Sequence, residues 1–195
     1  KLLWENLAKC YRLQNKFIQA KKAFQNLLKL DPHNYEAMGA LGTIHIRLSD
    51  FDEGIRIYKE LLKFNEKNPR VHLSLGHAQK TVGSRTDSES SYLNAIKYFP
   101  LCGEAYWSLA NLKTYKFSEK QIQTMESALK ADMHDLEKTQ MLFALGKAHE
   151  SLENYDKSFK YYEEGNWMHR KTLDYNAEEN SILINKTIDF FDKNS

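Results

Sequence analysis

The stretch Trp4-Glu5-Asn6-Leu7-Ala8-Lys9-Cys10-Tyr11, continued by Ala20-Lys21-Lys22-Ala23-Phe24 and closed by Asp31-Pro32, decides the fold. Its Leu7 returns as Leu41, Leu75 and Leu109 at a constant spacing of 34 residues, each time followed by a small residue: Ala8, Gly42, Gly76, Ala110. Other columns recur with it. Trp4, Met38, His72 and Tyr106 share the fourth position, Ala20, Gly54 and Ser88 the twentieth, and Phe24, Tyr58 and Tyr92 the twenty-fourth. Pro32 and Pro100 close the first and third units, where proline cannot continue a helix.

A period of this length with such columns marks a helical hairpin stacked on copies of itself. Two antiparallel helices approach closely only where a small residue faces the partner, the role expected of Ala8 and Ala20. Large neighbours then fill the space between the two helices and the next hairpin, each contributing about 1.5–3 kcal/mol when buried. One unit buries too little alone, so units stack. Asn15, Asp50, Ser84 and Asn154 precede second helices and are expected to cap them, while Asn68-Pro69 reads as a cap followed by a first-turn proline.

Trp4, Leu7, Ala8, Tyr11, Ala20, Phe24 and Pro32 make the first unit closely resemble the tetratricopeptide-repeat consensus. The resemblance implies an all-α, right-handed superhelix, an α-solenoid, that binds protein or peptide. The units expected are 1–34, 35–68, 69–102, an altered fourth at 103–138, and 139–173, with a C-terminal capping helix over 174–195.

The chain has 195 residues, and its 28 basic side chains nearly balance 26 acidic ones, a formal charge of +2. Such balance argues against nucleic acid as a partner. No apolar run is long enough for a membrane span, so a cytoplasmic protein with no membrane partner is expected. The start on Lys1 reads as a fragment. Cys10 and Cys102 lie about three units apart and are expected to stay reduced.

The period breaks in the fourth unit, where Glu126 stands in the aromatic column and Ser118-Glu119-Lys120-Gln121 opens a new helix carrying Ile122, Met125 and Leu129. Leu145-Gly146 resumes the pattern two residues late, with Tyr155, Ser158 and Tyr162. A last helix, capped by Asn176, is expected to turn Ile182, Leu183, Ile188, Phe190 and Phe191 toward the fifth unit, although the adjacent Phe190 and Phe191 cannot both point inward equally. Tyr106-Trp107-Ser108-Leu109-Ala110-Asn111-Leu112, Phe143-Ala144-Leu145-Gly146-Lys147-Ala148-His149-Glu150 and Tyr155-Asp156-Lys157-Ser158-Phe159 give residues 104–192 a second resemblance, to the repeat region that precedes the catalytic domain of bacterial sulfotransferases. That resemblance implies a catalytic domain after Ser195 using phosphoadenosine phosphosulfate. The chain itself has no glycine-rich phosphate loop, so no cofactor and no catalysis are expected within it.

The seven histidines offer no ligand pattern: His72 and His77, five apart, fall on different helical faces, and His45 and His149 occupy the eleventh, aromatic column as packing residues. No metal site is expected. Adjacent acids such as Glu163-Glu164 diverge on a helix and do not form a catalytic pair. Binding is therefore expected along the concave face lined by first helices. Its columns give Lys9 and Arg12 beside Glu5, Arg47 beside Thr43, then Arg70, His77 and Lys80, then Trp107, Asn111 and Tyr115, and last Lys147 with Phe143 and Glu150. Cations beside aromatic surface suit an acidic extended peptide or protein, or a docking domain of the same polypeptide.

Overall fold

A computed structural model describes residues 1–174 and 176–192, and all regular structure in them is helical. The first three units are the hairpins α1 (Leu2–Leu13) with α2 (Phe17–Leu30), α3 (Tyr35–Arg47) with α4 (Phe51–Phe64), and α5 (Pro69–Thr81) with α6 (Arg85–Tyr98). A short α7 (Gly103–Ala110) and α8 (Glu119–Ala128) follow, then the hairpin α9 (Asp135–Ser151) with α10 (Tyr155–Lys171), and last α11 (Ala177–Asp192). Second helices α2, α4 and α6 also pack against the first helix of the next unit, which makes a solenoid.

The small-residue column works by accepting a ring. A Cβ on Gly42 would stand 2.9 Å from Tyr58, one on Gly76 2.6 Å from Tyr92, and one on Gly146 2.7 Å from Tyr162. Each glycine thus lets a tyrosine sixteen residues later lie flat on the opposing backbone. The first unit substitutes Ala8 and Phe24, both buried. Ser158, in the twentieth column, is buried and donates its hydroxyl to the Gly146 carbonyl at 2.8 Å, which ties α10 to α9 at the same crossing.

Each regular hairpin turns through one left-handed residue at the fifteenth position: Asn15, Ser49, Gly83 (φ +81°) and, in the fifth unit, Glu153. Only Gly83 adopts this backbone without a steric cost, and Asn15 is the next most tolerant. This turn is why the expected cap at Asn15 fails. Asn15 is spent on the left-handed step, so Lys16 becomes the residue before α2 and makes no side-chain cap. Asp50 and Ser84 do stand at the caps of α4 and α6 but make no capping bond; the Asp50 carboxylate turns instead to His45 Nδ1 at 2.7 Å. Asn154 and Asn68 cap as expected, with Pro69 opening α5, and Ser118 with Gln121 forms the full capping box.

The fourth unit is not a hairpin. After only eight helical residues Lys113 takes the left-handed conformation, and the chain runs as a loop to Ser118. α7 then packs broadly against α9, and α8 touches the stack at its edge through buried Ile122 and Met125. Close approach of α7 and α9 depends on Gly103: a Cβ there would lie 2.0 Å from the Glu137 carbonyl oxygen. Glu126 explains the missing hairpin. A carboxylate cannot enter an apolar ring slot without heavy desolvation, and it instead accepts the Tyr161 hydroxyl at 3.0 Å and sits 3.5 Å from His149 Nε2.

α11 forms where expected, and Asn176 caps it by accepting from the Glu178 amide. Its expected burial against the fifth unit is not found: Ile182, Leu183, Ile188, Phe190 and Phe191 are 51–64% exposed and α11 has no buried residue. Residues 175 and 193–195 of the expected capping segment lie outside the described residues.

Candidate protein-binding groove

The column-nine side chains of the first helices meet the tyrosines of the ring slots from the other side. Thr43 Oγ1 lies 3.1 Å from the Tyr58 hydroxyl, and His77 Nδ1 lies 3.0 Å from the Tyr92 hydroxyl. In the fifth unit the Tyr162 hydroxyl donates to Glu150 at 3.0 Å, and Lys147 pairs with the same carboxylate at 2.8 Å. Phe24 carries no hydroxyl, and Lys9 of that unit turns to carboxylates, Glu5 at 2.6 Å and Glu36 at 3.6 Å. Burial pushes the Tyr92 phenol up to about 12, so it remains a neutral hydrogen-bonding group.

His77 also bridges units. Its Nε2 lies 3.0 Å from Glu104 Oε1, linking α5 to α7, and this contact holds the Glu104 carboxyl below its usual range against the opposing effect of burial. The Glu104 backbone amide donates to Glu137 of α9 at 3.2 Å. His77 is thus a connecting residue as well as a groove residue, which the sequence columns alone did not indicate.

The remaining cations divide by environment. Lys9 is neutralised by Glu5 and Glu36, and Glu5 first of all raises its pKa. Lys147 is offset by Glu150, whose own carboxyl is lowered by it. Arg12, Arg47, Arg70 and Lys80 are exposed and, among the described residues, form no ion pair within 4 Å. Arg12, Arg47 and Lys80 all stand in the last turn of a first helix, where a cation also offsets the helix dipole. Arg12 borders a recess of about 130 Å³ between α1 and α3, with Glu5, Lys9, Glu36 and Thr43. Arg70 borders a larger one of about 540 Å³ with Ser74, Phe99, Glu104 and Glu137. The groove is therefore of mixed charge, with its excess positive charge at the ends of first helices.

The fourth-unit residues expected on a first helix do not all sit on one. Trp107 is on α7, half-buried, its ring 5.5 Å from Phe143 of α9. Asn111 is the exposed residue ending α7, and Tyr115 lies in the loop beyond it, edge-on to Phe117 at 5.0 Å and accepting from Gln121 Nε2 at 2.6 Å. Early termination of α7 removed both from the helical register that placed them.

The histidines take packing and bridging positions. His72 is buried, meets the Glu66 carbonyl at 2.7 Å and stacks on Tyr98, and His134 caps α9 by accepting from the Leu136 amide. His45 and His149 are both buried in the eleventh column. Among the described residues no three His, Cys, Asp or Glu side chains come together as a metal-binding group. Cys10 and Cys102 are free thiols, and burial pushes the Cys102 thiol up to about 11, leaving it protonated and unreactive at neutral pH. No helix among the described residues is long and apolar enough to cross a membrane.

Comparison with known proteins agrees with this architecture. BBSome complex member BBS4 of Mus musculus is 33% identical over 76 residues, 37% of this chain and 14% of that protein. The general transcriptional corepressor trfA of Dictyostelium discoideum is 25% identical over 93 residues, 47% of this chain and 7% of that protein. The matches thus span under a fifth of these relatives' own length. Among solved structures, MamA from Desulfovibrio magneticus RS-1 superposes with a TM-score of 0.64 at 14% identity, covering 89% of this chain and 96% of that one. PilF of Pseudomonas aeruginosa gives 0.64 at 16% identity over 90% of this chain and 78% of that one. Models of the tetratricopeptide repeat match residues 6–78 and 139–165, together about half of the chain and on either side of the irregular fourth unit. With its 34-residue columns, ring slots and hairpin stack, the chain belongs to the tetratricopeptide-repeat family.

Proposed function

We propose that this chain is a noncatalytic scaffold that holds an acidic, extended segment of a protein partner along the concave face. The observation that carries this reading is the set of exposed cations Arg12, Arg47, Arg70 and Lys80, repeated over three consecutive units with no ion pair among the described residues. A protein that neutralises them gains affinity that salt weakens. A cytoplasmic setting is part of the proposal and fits the two free thiols.

Two contexts give such a scaffold its use. In the first, the solenoid presents an acceptor to a sulfotransferase domain of the same polypeptide; the resemblance of residues 104–192 supports it, and the exposed Ile182, Leu183 and Ile188 of α11 offer apolar surface for a following domain. In the second, the chain is an adaptor in an assembly, which the similarity to BBSome complex member BBS4 supports. The reading frame beyond Ser195 separates them. A strand, phosphate-binding loop and helix support the first, and a stop codon soon after Ser195 supports the second.

The groove itself is tested by selecting peptides from a random display library on the full chain. Selected peptides are expected to be rich in Asp and Glu and to lose at least tenfold in affinity to Arg47→Glu with Arg70→Glu. Peptides without acidic bias, or binding that the double reversal leaves unchanged, overturn the proposal.

A further inference from the structure

The irregular fourth unit supplies one wall of a cleft beside the third unit. Because α7 ends after eight residues, the left-handed turn at Lys113 arrives early and comes against the hairpin turn of the third unit. Lys80 from the last turn of α5, Arg85 from the start of α6 and Lys113 then line one cleft of about 270 Å³. Asn111 adds a side-chain amide at its rim, and buried Ser88 and Leu112 form its floor.

The charge of this cleft is of one sign. No carboxylate lines it, and the acids closest in sequence, Asp87 and Glu89, lie on α6 outside the lining. Among the described residues Lys80, Arg85 and Lys113 make no ion pair and no side-chain hydrogen bond. Three uncompensated cations around one concavity repel each other and focus a positive potential into it. Partial positive charge at the first turn of α6 adds to the same end. A carboxylate offers two oxygens and one charge; three cations with an amide donor match a group having two charges and three acceptor oxygens.

We propose that Lys80, Arg85 and Lys113 form a receptor for a dianionic phosphate group carried on a side chain of the protein partner. The proposal rests on the protein-binding reading of the groove and names one feature of the partner. Lys80 belongs to both, so the receptor extends the groove at its third unit.

The test uses the full chain and three peptide libraries with the same randomised flanks around a central phosphoserine, serine or glutamate. The phosphoserine library is expected to bind at least tenfold more tightly than the other two, with amide shifts at Gly83, Asn111 and Lys113. Arg85→Ala and Lys113→Ala are each expected to abolish that preference without moving the thermal midpoint. Affinity should also fall as pH drops through about 6, where the phosphate takes up its second proton. Equal binding of the three libraries overturns the receptor alone, leaving the groove intact if Arg47→Glu with Arg70→Glu still weakens them all. Binding of none of them overturns the groove reading and the receptor with it. Shifts at the same amides from inorganic phosphate, with no preference for the phosphoserine library, identify a free-anion site and overturn a partner-borne phosphate.

Discussion

The third and fourth units start alike and finish differently. Both open with an aromatic or histidine in the fourth column and a leucine followed by a small residue, yet α5 runs thirteen residues and folds back on α6, whereas α7 runs eight and packs on α9. The difference lies sixteen residues downstream of the small residue. Gly76 has Tyr92 to fill its slot; Ala110 has Glu126, which goes to Tyr161 and His149 instead. A first helix, then, is held in its hairpin by the ring that its partner supplies, and without that ring it seeks the next first helix. The same rearrangement moves Lys113 beside Lys80 and Arg85.

Filling the slot that defines the regular unit is expected to have the largest effect. Gly76→Leu places a branched side chain where a Cβ alone would already stand 2.6 Å from the Tyr92 ring. The cost should be about 3 kcal/mol, the upper part of the overpacking range, read as a lower denaturation midpoint. An unchanged midpoint would break the claim that ring insertion holds α5 to α6. Gly103→Ala probes the irregular unit in the same way. Its Cβ meets backbone at Glu137, not a movable ring, but it lies in the first turn of a short helix that can shift. A loss of about 2 kcal/mol is expected, with faster amide exchange confined to α7 and the start of α9.

The hydroxyl of the inserted ring sharpens the comparison further. Tyr92→Phe keeps the packing and removes the contact with His77, at a cost of about 1 kcal/mol. The first unit already has Phe24 in this column and no such contact, so its exchange rates should be unaffected by the substitution. A destabilisation shared by α1 and α2 would mean that the solenoid unfolds as one body and that the hydroxyl has no local role.

How far the sequence revealed this structure follows from which residues act locally. The hairpins of the first three units and of α9 with α10 were legible, because Leu7, Ala8, Phe24 and their repeats depend only on neighbours within one period. The cap of α8 was legible for the same reason. The end of α7 was not: Glu126 signalled a changed register, but where the helix would stop depended on Lys113 accepting a left-handed backbone, which lysine seldom does. Groove residues were legible as columns and misleading as charges. Lys9 and Arg12 look equivalent in sequence, and only the fold shows that Glu36 of the next unit helps to neutralise one of them. The exposure of α11 was hidden too, since an amphipathic pattern states which residues share a face and not what covers it.

The smallest effect tests the seam between the two kinds of unit. Glu104 is held below the ordinary carboxylate range chiefly by its hydrogen bond to His77, so the folded chain binds that proton more weakly than the unfolded chain does. The linked stability is fully present above the ordinary carboxylate range and is lost as pH falls through the depressed value of the folded state. Glu104→Gln removes the carboxylate and with it this acid dependence. The variant should unfold slightly earlier than the parent at neutral pH, and the two curves should converge as pH is lowered through and below the ordinary carboxylate range. Glu104 is half-exposed, and solvent screening keeps the gap small. Asp50 supplies a contrast, because its contact with His45 lies within one hairpin and its carboxyl is lowered in the same direction. Asp50 also lies 3.9 Å from Lys21 of α2, a longer contact than that with His45, so substitution of Asp50 should accelerate exchange chiefly in α3 and α4, whereas Glu104→Gln should loosen α7 relative to α5. Identical exchange patterns from the two variants would show that the seam is no weaker than a hairpin, and the distinction drawn between the third and fourth units would fall.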